Sequence, residues 1–280
     1  MSYIRKSFDF LVSSNPLLGA DSVSKEGSTF TINLEDNGLD VPKNATNVQL
    51  SVVGSEVWYN TPNVVLNKND QLTIVYNATT VVVTIPTGLY TFNEIGPTIE
   101  RELKLLAPTD PVVSDIITNH LIKIEAEENQ GKIKLTLALT ATTTSLSCDF
   151  TPTRSIGQVL GFNTIKTASN FYFSDTDPKF NGFNYYMIQS NIVNQGIRIG
   201  PTFNNIIAKI LVTANPNTQV LYQPANPTLV NADNLAGDRR TSYTFSLLDD
   251  TFTRIDTRGE YYSLQLRISF YMPVNFNTVN

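Results

Sequence analysis

The chain has 280 residues, of which 16% are charged and 41% hydrophobic, and its formal net charge at pH 7 is −5. Binding to a phosphate backbone depends on clustered Lys and Arg, so an acidic chain of this kind is not expected to bind nucleic acid directly. A single cysteine, Cys148, and a single histidine, His120, exclude an intramolecular disulfide and a zinc site built from His and Cys. We therefore expect no cofactor and no metal centre.

The N-terminal 25 residues have a mixed composition. They combine Arg5, Lys6, Phe8 and Phe10 with a stretch of Ser, Asn and Pro that shows no clear periodicity. We predict an N-terminal arm over residues 1–25. Arms of this kind are often only frayed termini, but these four side chains are candidates for contacts to a neighbouring subunit.

Two strand-like segments follow the arm, at 28–34 and 47–59. In the second, apolar and polar residues alternate before Trp58 and Tyr59, which is typical of a half-buried strand. The residues between the two segments are dense in turn formers, as expected for a loop that links two sheets. The pattern predicts the beginning of a β-sandwich.

In the next stretch the spacing of the apolar residues changes from that of a strand to that of a helix. Segments 71–76 and 79–85 are rich in β-branched residues and are predicted to form a hairpin through Asn77 and Ala78. The apolar spacing then becomes helical, because Ile95, Ile99, Leu103 and Leu106 fall on one stripe. The sequence therefore predicts a strand hairpin that leads into an amphipathic helix.

Three further elements complete this middle block. Asp110 and Pro111 are predicted to begin a second short helix. Residues 121–139 are predicted to form another hairpin, and a strand near 145–151 precedes a short helix capped by Ser155. Residues 163–182 are predicted to be irregular. Together these elements predict a compact α+β unit.

The last hundred residues return to strands with long connections rich in Asn, Pro and Gly. The predicted strands lie at 184–193, 205–214, 218–224, 241–250 and 260–272, with a short one near 252–256. Long connections favour a Greek-key or jelly-roll topology over a meander.

The predicted fold is therefore mainly β, with a single jelly-roll β-sandwich interrupted by a small inserted α+β domain. We assign residues 26–65 and 183–280 to the jelly roll and residues 66–182 to the insertion.

No motif of a known enzyme class is present: there is no G-x-S-x-G, P-loop, G-x-G-x-x-G or H-E-x-x-H sequence. The acidic pairs Glu127–Glu128 and Asp249–Asp250 lie at predicted strand ends, where carboxylates are common in turns. Hydrolysis of glycosides by two carboxylates is the least implausible enzymatic alternative. We expect a protein that is not an enzyme.

Three short motifs, in order, resemble those of penton-type capsid proteins from virophages and polinton-like viruses. The first is Ile-Pro-Thr-Gly-Leu-Tyr at 85–90, followed by Asn-Glu-Ile and the helix; its partner is Ser-Ile-Gly-Gln-Val-Leu-Gly-Phe at 155–162. The second is the strand at 184–193, where Asn191 stands in place of the usual acidic residue. The third is the segment at 245–268.

This resemblance covers about residues 75–272 and implies a specific role. It implies a homopentamer at the fivefold vertices of an icosahedral double-stranded DNA virus capsid, synthesised in the host cytoplasm, with the inserted domain projecting outward. The implied partners are other copies of the chain, neighbouring capsomers of the major capsid protein and, through the insertion, a host receptor. Arg5, Lys6, Phe8 and Phe10 are the candidate capsid contacts.

Two alternatives remain at this point. In the first, each half of the chain is a jelly roll, as in a double-barrel major capsid protein that forms trimers; the predicted helix at 94–106 argues against it. In the second, the chain is a virion attachment protein whose inserted module binds carbohydrate or a receptor.

Overall fold

The structure, a computed structural model, describes residues 2–34, 38–141, 145–199 and 202–274. The chain separates into two compact units, one formed by residues 1–60 together with 183–280 and the other by residues 61–182. We call the first the sandwich unit and the second the inserted unit.

The secondary structure is dominated by strands. In chain order the strands are β1 (Ser2–Ser13), β2 (Ser22–Val23), β3 (Thr29–Asn33), β4 (Thr46–Tyr59), β5 (Gln71–Tyr76), β6 (Thr79–Thr84), β7 (Ile122–Glu127), β8 (Lys132–Leu137), β9 (Leu146–Asp149), β10 (Lys166–Thr167), β11 (Ser169–Phe173), β12 (Tyr185–Ser190), β13 (Arg198–Ile199), β14 (Thr202–Phe203), β15 (Ile206–Leu211), β16 (Thr218–Tyr222), β17 (Val230–Asn231), β18 (Ser242–Leu248) and β19 (Ser263–Val274). The helices are α1 (Ile95–Leu106), α2 (Pro111–Thr118) and α3 (Gly157–Leu160), with single 3-10 turns at Pro16–Leu18 and Asp233–Leu235.

The sandwich unit has jelly-roll topology. One sheet has the order β1-β19-β4-β16, with β17 also paired to β4, and the other has the order β15-β12-β18-β3-β2. If the principal strands β1, β3, β4, β12, β15, β16, β18 and β19 are numbered one to eight, the first sheet reads 1-8-3-6 and the second 5-4-7-2. Eight strands wound between two antiparallel sheets in this way form a jelly roll. The predicted fold class is confirmed, and the inserted unit lies between the third and fourth strands.

The predicted N-terminal arm is instead the first strand of the jelly roll. β1 pairs with β19 over its whole length, from Ser2 opposite Val274 to Ser13 opposite Ser263. In sequence the segment looked aperiodic because only its C-terminal half alternates clearly and because its partner is at the other end of the chain. The short strand expected near 252–256 is not one of the eight jelly-roll strands, since that segment contributes only an isolated bridge between Leu248 and Arg254.

The core of the sandwich unit is built by alternate residues of the facing sheets. Leu264, Leu266 and Ile268 of β19 are fully buried, in the pattern that one half-buried face produces. Phe30 stacks on Phe245 with ring centroids 5.3 Å apart. It also meets the ring of Tyr262 edge-on at 5.3 Å. Aromatic pairs in these geometries stabilise a core beyond the area that they bury.

The inserted unit contains two small sheets, β10-β9-β5-β6 and β11-β8-β7, together with the three helices. The β5–β6 hairpin turns at Asn77 and Ala78, which both have positive φ angles of 44° and 68°, as a two-residue turn requires. The carboxylate of Asp110 accepts hydrogen bonds from the N–H groups of Val112 and Val113, so it caps α2 as predicted.

Residues 163–182 are more ordered than the sequence predicted. They contain β10, which pairs with β9, and β11, which pairs with β8. Both strands are short, and the β11 pairing contains a register shift, so their sequences carry little of the alternation that marks a longer strand.

Candidate interaction surfaces

The four predicted contact residues all lie on β1. The rings of Phe8 and Phe10 are half-buried on the side of β1 that faces the sandwich, where they lie opposite Ile268 and Leu266 of β19. Phe8 meets the ring of Phe270 edge-on at 6.5 Å. These two phenylalanines therefore contribute to the sandwich core.

Arg5 and Lys6 lie nearer the start of β1 and are exposed. They lie opposite Tyr271 and Phe270 of β19, where the pairing of β19 with β4 ends at Tyr271 and Thr46, so only residues 2–4 of β1 extend beyond the rest of the sheet. Ile4 in this extension is 54% exposed. The two cations thus lie next to the extension and its exposed Ile4, and the role of Arg5, Lys6, Phe8 and Phe10 in capsid contacts stays a prediction.

The inserted unit carries a groove between α1, the C-terminal end of α2 and the edge strand β7. Its cavity volume is about 570 Å³. The wall residues include Ile99, Leu103, Ile116, Ile122 and Ile124, and the rim is charged. A pocket of this size, apolar inside and polar at its mouth, is typical of a binding site.

Backbone geometry explains why the groove forms at this place. The N–H of Ala138 donates to the carbonyl of Leu121, so in the antiparallel register Ile122, Ile124 and Ala126 direct their backbone groups away from β8. Helix α1 covers this edge at Gly96, where an added Cβ would lie only 2.2 Å from the carbonyl oxygen of Ile124. The groove is the space between the strand and the remainder of the helix.

The charges on the rim of the groove favour the ionised form of Glu100. The pKa of Glu100 is below its usual value, chiefly because Lys104 donates a hydrogen bond to it, with further favourable interactions from Lys104, His120 and Lys123. The Lys104 and Glu100 charges lie 2.6 Å apart on one face of α1, and Lys123 is paired with Glu125 at 2.7 Å. The rim therefore carries both signs of charge with no strong excess.

The motif residues of the inserted unit hold its fold rather than form a site. Arg154 donates to both oxygens of the buried Asp70 carboxylate, at 2.8 Å to Oδ2 and 3.0 Å to Oδ1 from Nη2. Burial alone would raise the pKa of Asp70, but the hydrogen bonds from Arg154 and from backbone N–H groups hold it below its usual value. This ion pair joins the segment before α3 to the start of β5.

In the Ser-Ile-Gly-Gln-Val-Leu-Gly-Phe motif, the serine, both glycines and the phenylalanine each have a structural role. Ser155 Oγ accepts a hydrogen bond from the N–H of Gly157 at the start of α3. A Cβ at Gly157 would lie 2.5 Å from the carbonyl oxygen of Phe162, and Gly161 ends the helix with φ +81°. The ring of Phe162 stacks on Phe150 at 4.9 Å.

The Ile-Pro-Thr-Gly-Leu-Tyr motif is likewise structural. The Tyr90 hydroxyl donates to the Pro86 carbonyl, and the Asn63 side chain bonds both the N–H and the carbonyl of Tyr90. A Cβ at Gly88 would lie 2.9 Å from the Tyr90 ring, so glycine allows the ring to fold back over the turn.

Within the described ranges, the cysteine is unreactive near neutral pH and the residue types that bind metals are not clustered. Burial raises the pKa of the Cys148 thiol to about 12, so the thiolate that would be the nucleophile is not formed near neutral pH. Among the same residues, no three His, Cys, Asp or Glu side chains are grouped as ligands for a metal ion. No helix within them has the length and apolar character to cross a membrane.

No family model and no curated protein matches the sequence. Among solved structures, the chain is similar to the selenomethionine-labelled mavirus penton protein, with a TM-score of 0.51 and 13% identity over 96% of this chain and 99% of that one. This chain has the fold of that protein. A chain in the cryo-EM structure of the Sputnik virophage aligns with a TM-score of 0.40 and 13% identity, over 95% of this chain and 97% of that one. The similarity to the mavirus penton protein confirms, at the level of the fold, the resemblance found in the sequence motifs.

The sequence analysis did not identify the groove. Its walls are the helix stripe and the strand that we did predict, but their separation depends on the contact between Gly96 and Ile124. Glycine inside an otherwise regular helical pattern was the one available signal, because such a residue commonly marks a close approach of another backbone.

Proposed function

We propose that the chain is a structural virion protein that forms a homopentamer at the fivefold vertices of an icosahedral double-stranded DNA virus capsid. The observation that carries this proposal is a single jelly roll interrupted by the inserted unit between its third and fourth strands, in a fold shared with the mavirus penton protein over nearly the whole chain. The three sequence motifs support the same role independently. The protein acts in this role without catalysis.

In this proposal the inserted unit projects outward from the capsid and the sandwich units form the ring. Ring closure needs a heterologous contact between two different surfaces of the subunit. The N-terminal part of β1, which contains the cations Arg5 and Lys6, contacts the neighbouring capsomers of the major capsid protein. Synthesis takes place in the host cytoplasm.

The double-barrel alternative is not supported by the inserted unit. Its strands form separate sheets of four and three strands beside helices, rather than a second sandwich with jelly-roll order. A trimeric major capsid protein would need that second barrel.

A density map of virus particles tests where this protein lies in the capsid. Virions with the protein carrying a small tag after Gly182, at the unit boundary, are expected to show added density only at the fivefold vertices. Added density at the threefold positions of hexagonal capsomers, or none in purified particles, contradicts the proposal.

Receptor binding by the inserted unit is a second candidate function, and the groove is the observation that favours it. Aliphatic walls and a rim of both charge signs suit an aliphatic side chain of a peptide better than a sugar, since no Phe, Tyr or Trp is among the groove's described lining residues. We expect Ile122→Gln to reduce binding of the protein to host cells, whereas Ile165→Gln, which lies outside the lining and is 52% exposed, leaves binding unchanged. Equal binding by both variants contradicts a role for the groove.

A further inference from the structure

Two residues, Asn181 and Gly182, form the link with which the chain leaves the inserted unit. The residues on either side of this link are held by packing. The ring of Phe180 meets that of Phe92 edge-on at 5.6 Å, and Phe183 is buried with 5% of its surface exposed. The link is therefore a short segment of chain between two packed aromatic residues.

The link itself is exposed and has an open environment. Asn181 and Gly182 lie in no helix or strand, and both are exposed to solvent. Apart from the neighbours in the chain, no heavy atom lies within 4 Å of the place that a Cβ on Gly182 would take. The N–H of Gly182 donates to no backbone carbonyl in the described part of the chain. The peptide group between the two residues therefore has room to rotate and an accessible nitrogen.

An asparagine that precedes a glycine can react with its own backbone. The amide carbon of its side chain lies within reach of the next backbone nitrogen, and a bond between the two closes a five-membered succinimide ring. The peptide group must turn towards the side chain for this bond to form. Glycine allows the turn with little steric cost, because it has no Cβ and adopts conformations that other residues avoid.

We propose that Asn181 is a site of spontaneous deamidation in the folded protein, with water as the co-reactant. The backbone nitrogen of Gly182 forms a bond to Cγ of Asn181, and the side-chain nitrogen leaves as ammonia with the proton that Gly182 gives up. Water then opens the ring. Cleavage of the bond between this nitrogen and Cγ gives an aspartate, and cleavage of the bond to the backbone carbonyl carbon gives an isoaspartate. Neither step is an oxidation or a reduction.

The sequence contains a second Asn-Gly pair, Asn37 and Gly38, whose glycine has different surroundings. Asn37 lies outside the described residues. Gly38 has a φ of 62°, and a Cβ there would lie 2.5 Å from the carbonyl oxygen of Arg240, so its backbone is closely packed. A rotation of its peptide group would disturb that packing. We therefore expect Asn181 to react faster than Asn37.

The reaction changes the charge and the backbone of the link. A carboxyl group is ionised near neutral pH, so each event makes the formal net charge of the chain one unit more negative than −5. An isoaspartate also places an additional carbon in the main chain between Phe180 and Phe183. The inference needs only the folded chain and is independent of the proposed function.

Timed incubation of the full-length folded protein at mildly alkaline pH tests the proposal, because base removes the proton of the attacking N–H. Peptide mapping by mass spectrometry is expected to show aspartate and isoaspartate accumulating at residue 181. The variant Gly182→Ala should react about fivefold or more slowly, as expected when a Cβ restricts the backbone. In Asn181→Gln the longer side chain cannot close the five-membered ring, so the product should be absent. Unchanged melting temperatures verify that each variant is folded.

A denatured sample of the same protein serves as the reference for the effect of the fold. Reaction at Asn181 in the denatured chain but not in the folded protein would show that the fold locks the link, and it would overturn the proposal. Equal rates for Gly182→Ala and the wild type would overturn the role of the glycine. Faster reaction at Asn37 than at Asn181 in the folded protein would overturn the predicted preference. None of these results bears on the penton role.

Discussion

The sandwich unit and the inserted unit are held together by contacts between different parts of the chain. The first sheet of the sandwich depends on β1 and β19, which come from opposite ends of the sequence and pair over twelve residues each. The inserted unit is built from the local hairpins β5–β6 and β7–β8, and its two ends are joined by the pairing of β5 with β9 and by the ion pair between the buried Asp70 carboxylate and Arg154. A change at the chain termini should therefore affect the sandwich unit alone, and a change at the ion pair should affect the inserted unit alone.

Deletion of residues 2–13 is expected to have the largest effect. It removes the strand that covers one side of β19 and exposes a long edge together with the core residues opposite Phe8 and Phe10. We expect loss of cooperative folding in the sandwich unit, measured as loss of hydrogen-exchange protection in β4 and β19. Protection retained in both strands would show that this segment is a dispensable arm.

Replacement of Arg154 by Met is expected to destabilise the inserted unit by about 2 kcal/mol, because the buried Asp70 carboxylate loses the hydrogen bonds from Arg154 and keeps only those from the backbone. The measurement is chemical denaturation followed by hydrogen exchange in β5 and β9. Lys179→Met, which removes a cation of the same unit that makes no salt bridge in the described part of the chain, is the control and is expected to have little effect.

The same ion pair predicts a pH dependence. The pKa of Asp70 is lower in the folded chain than in the unfolded chain, so its contribution to stability is complete above the unfolded value of about 3.9. It is lost as the pH falls through the lower, folded pKa. The wild type should therefore lose part of its stability advantage over Asp70→Asn on acidification, and a constant difference between the two from pH 7 to pH 2 contradicts this assignment.

Replacement of Gly96 by Ala tests the contact that forms the groove. In an exposed helix this change is stabilising by up to about 1 kcal/mol. Here the added Cβ meets the Ile124 carbonyl, so we expect destabilisation by about 1–3 kcal/mol and looser packing of α1 on β7. Gly182→Ala is the matched control, since nothing lies within 4 Å of its Cβ position. A stabilised Gly96→Ala variant would show that the helix does not rest on the strand edge.

Replacement of Asp110 by Ala is expected to have the smallest effect, a loss of about 1 kcal/mol from the removed cap of α2. Asp110→Asn retains an acceptor oxygen and should restore most of that stability. The loss should appear in the unfolding of the inserted unit and not in that of the sandwich unit. Equal melting temperatures for Asp110→Ala and the wild type would contradict the role of the cap.

The difference between the units also explains what could be predicted from the sequence. The helix stripe from Ile95 to Leu106, the turn at Asn77 and Ala78 and the cap at Asp110 are local signals, and the structure confirms each of them. The role of β1 could not be predicted in this way, because it depends on pairing with residues at the other end of the chain.

The candidate surfaces were less predictable still. The groove lined by Ile99 and Ile122 is a property of the folded surface, and in sequence these isoleucines look like any other apolar residue. Phe8 and Phe10 were chosen as contacts for their aromatic rings, but these rings are half-buried against the core. Composition indicated the kind of residue that binds partners, whereas the topology determined which residues face outward.

The most direct test of the central claim is the native mass of the full-length protein, measured by native mass spectrometry across a range of concentrations. The proposed vertex role predicts a closed assembly of five copies of the chain. A closed trimer, or a chain that remains monomeric throughout the range, would contradict it.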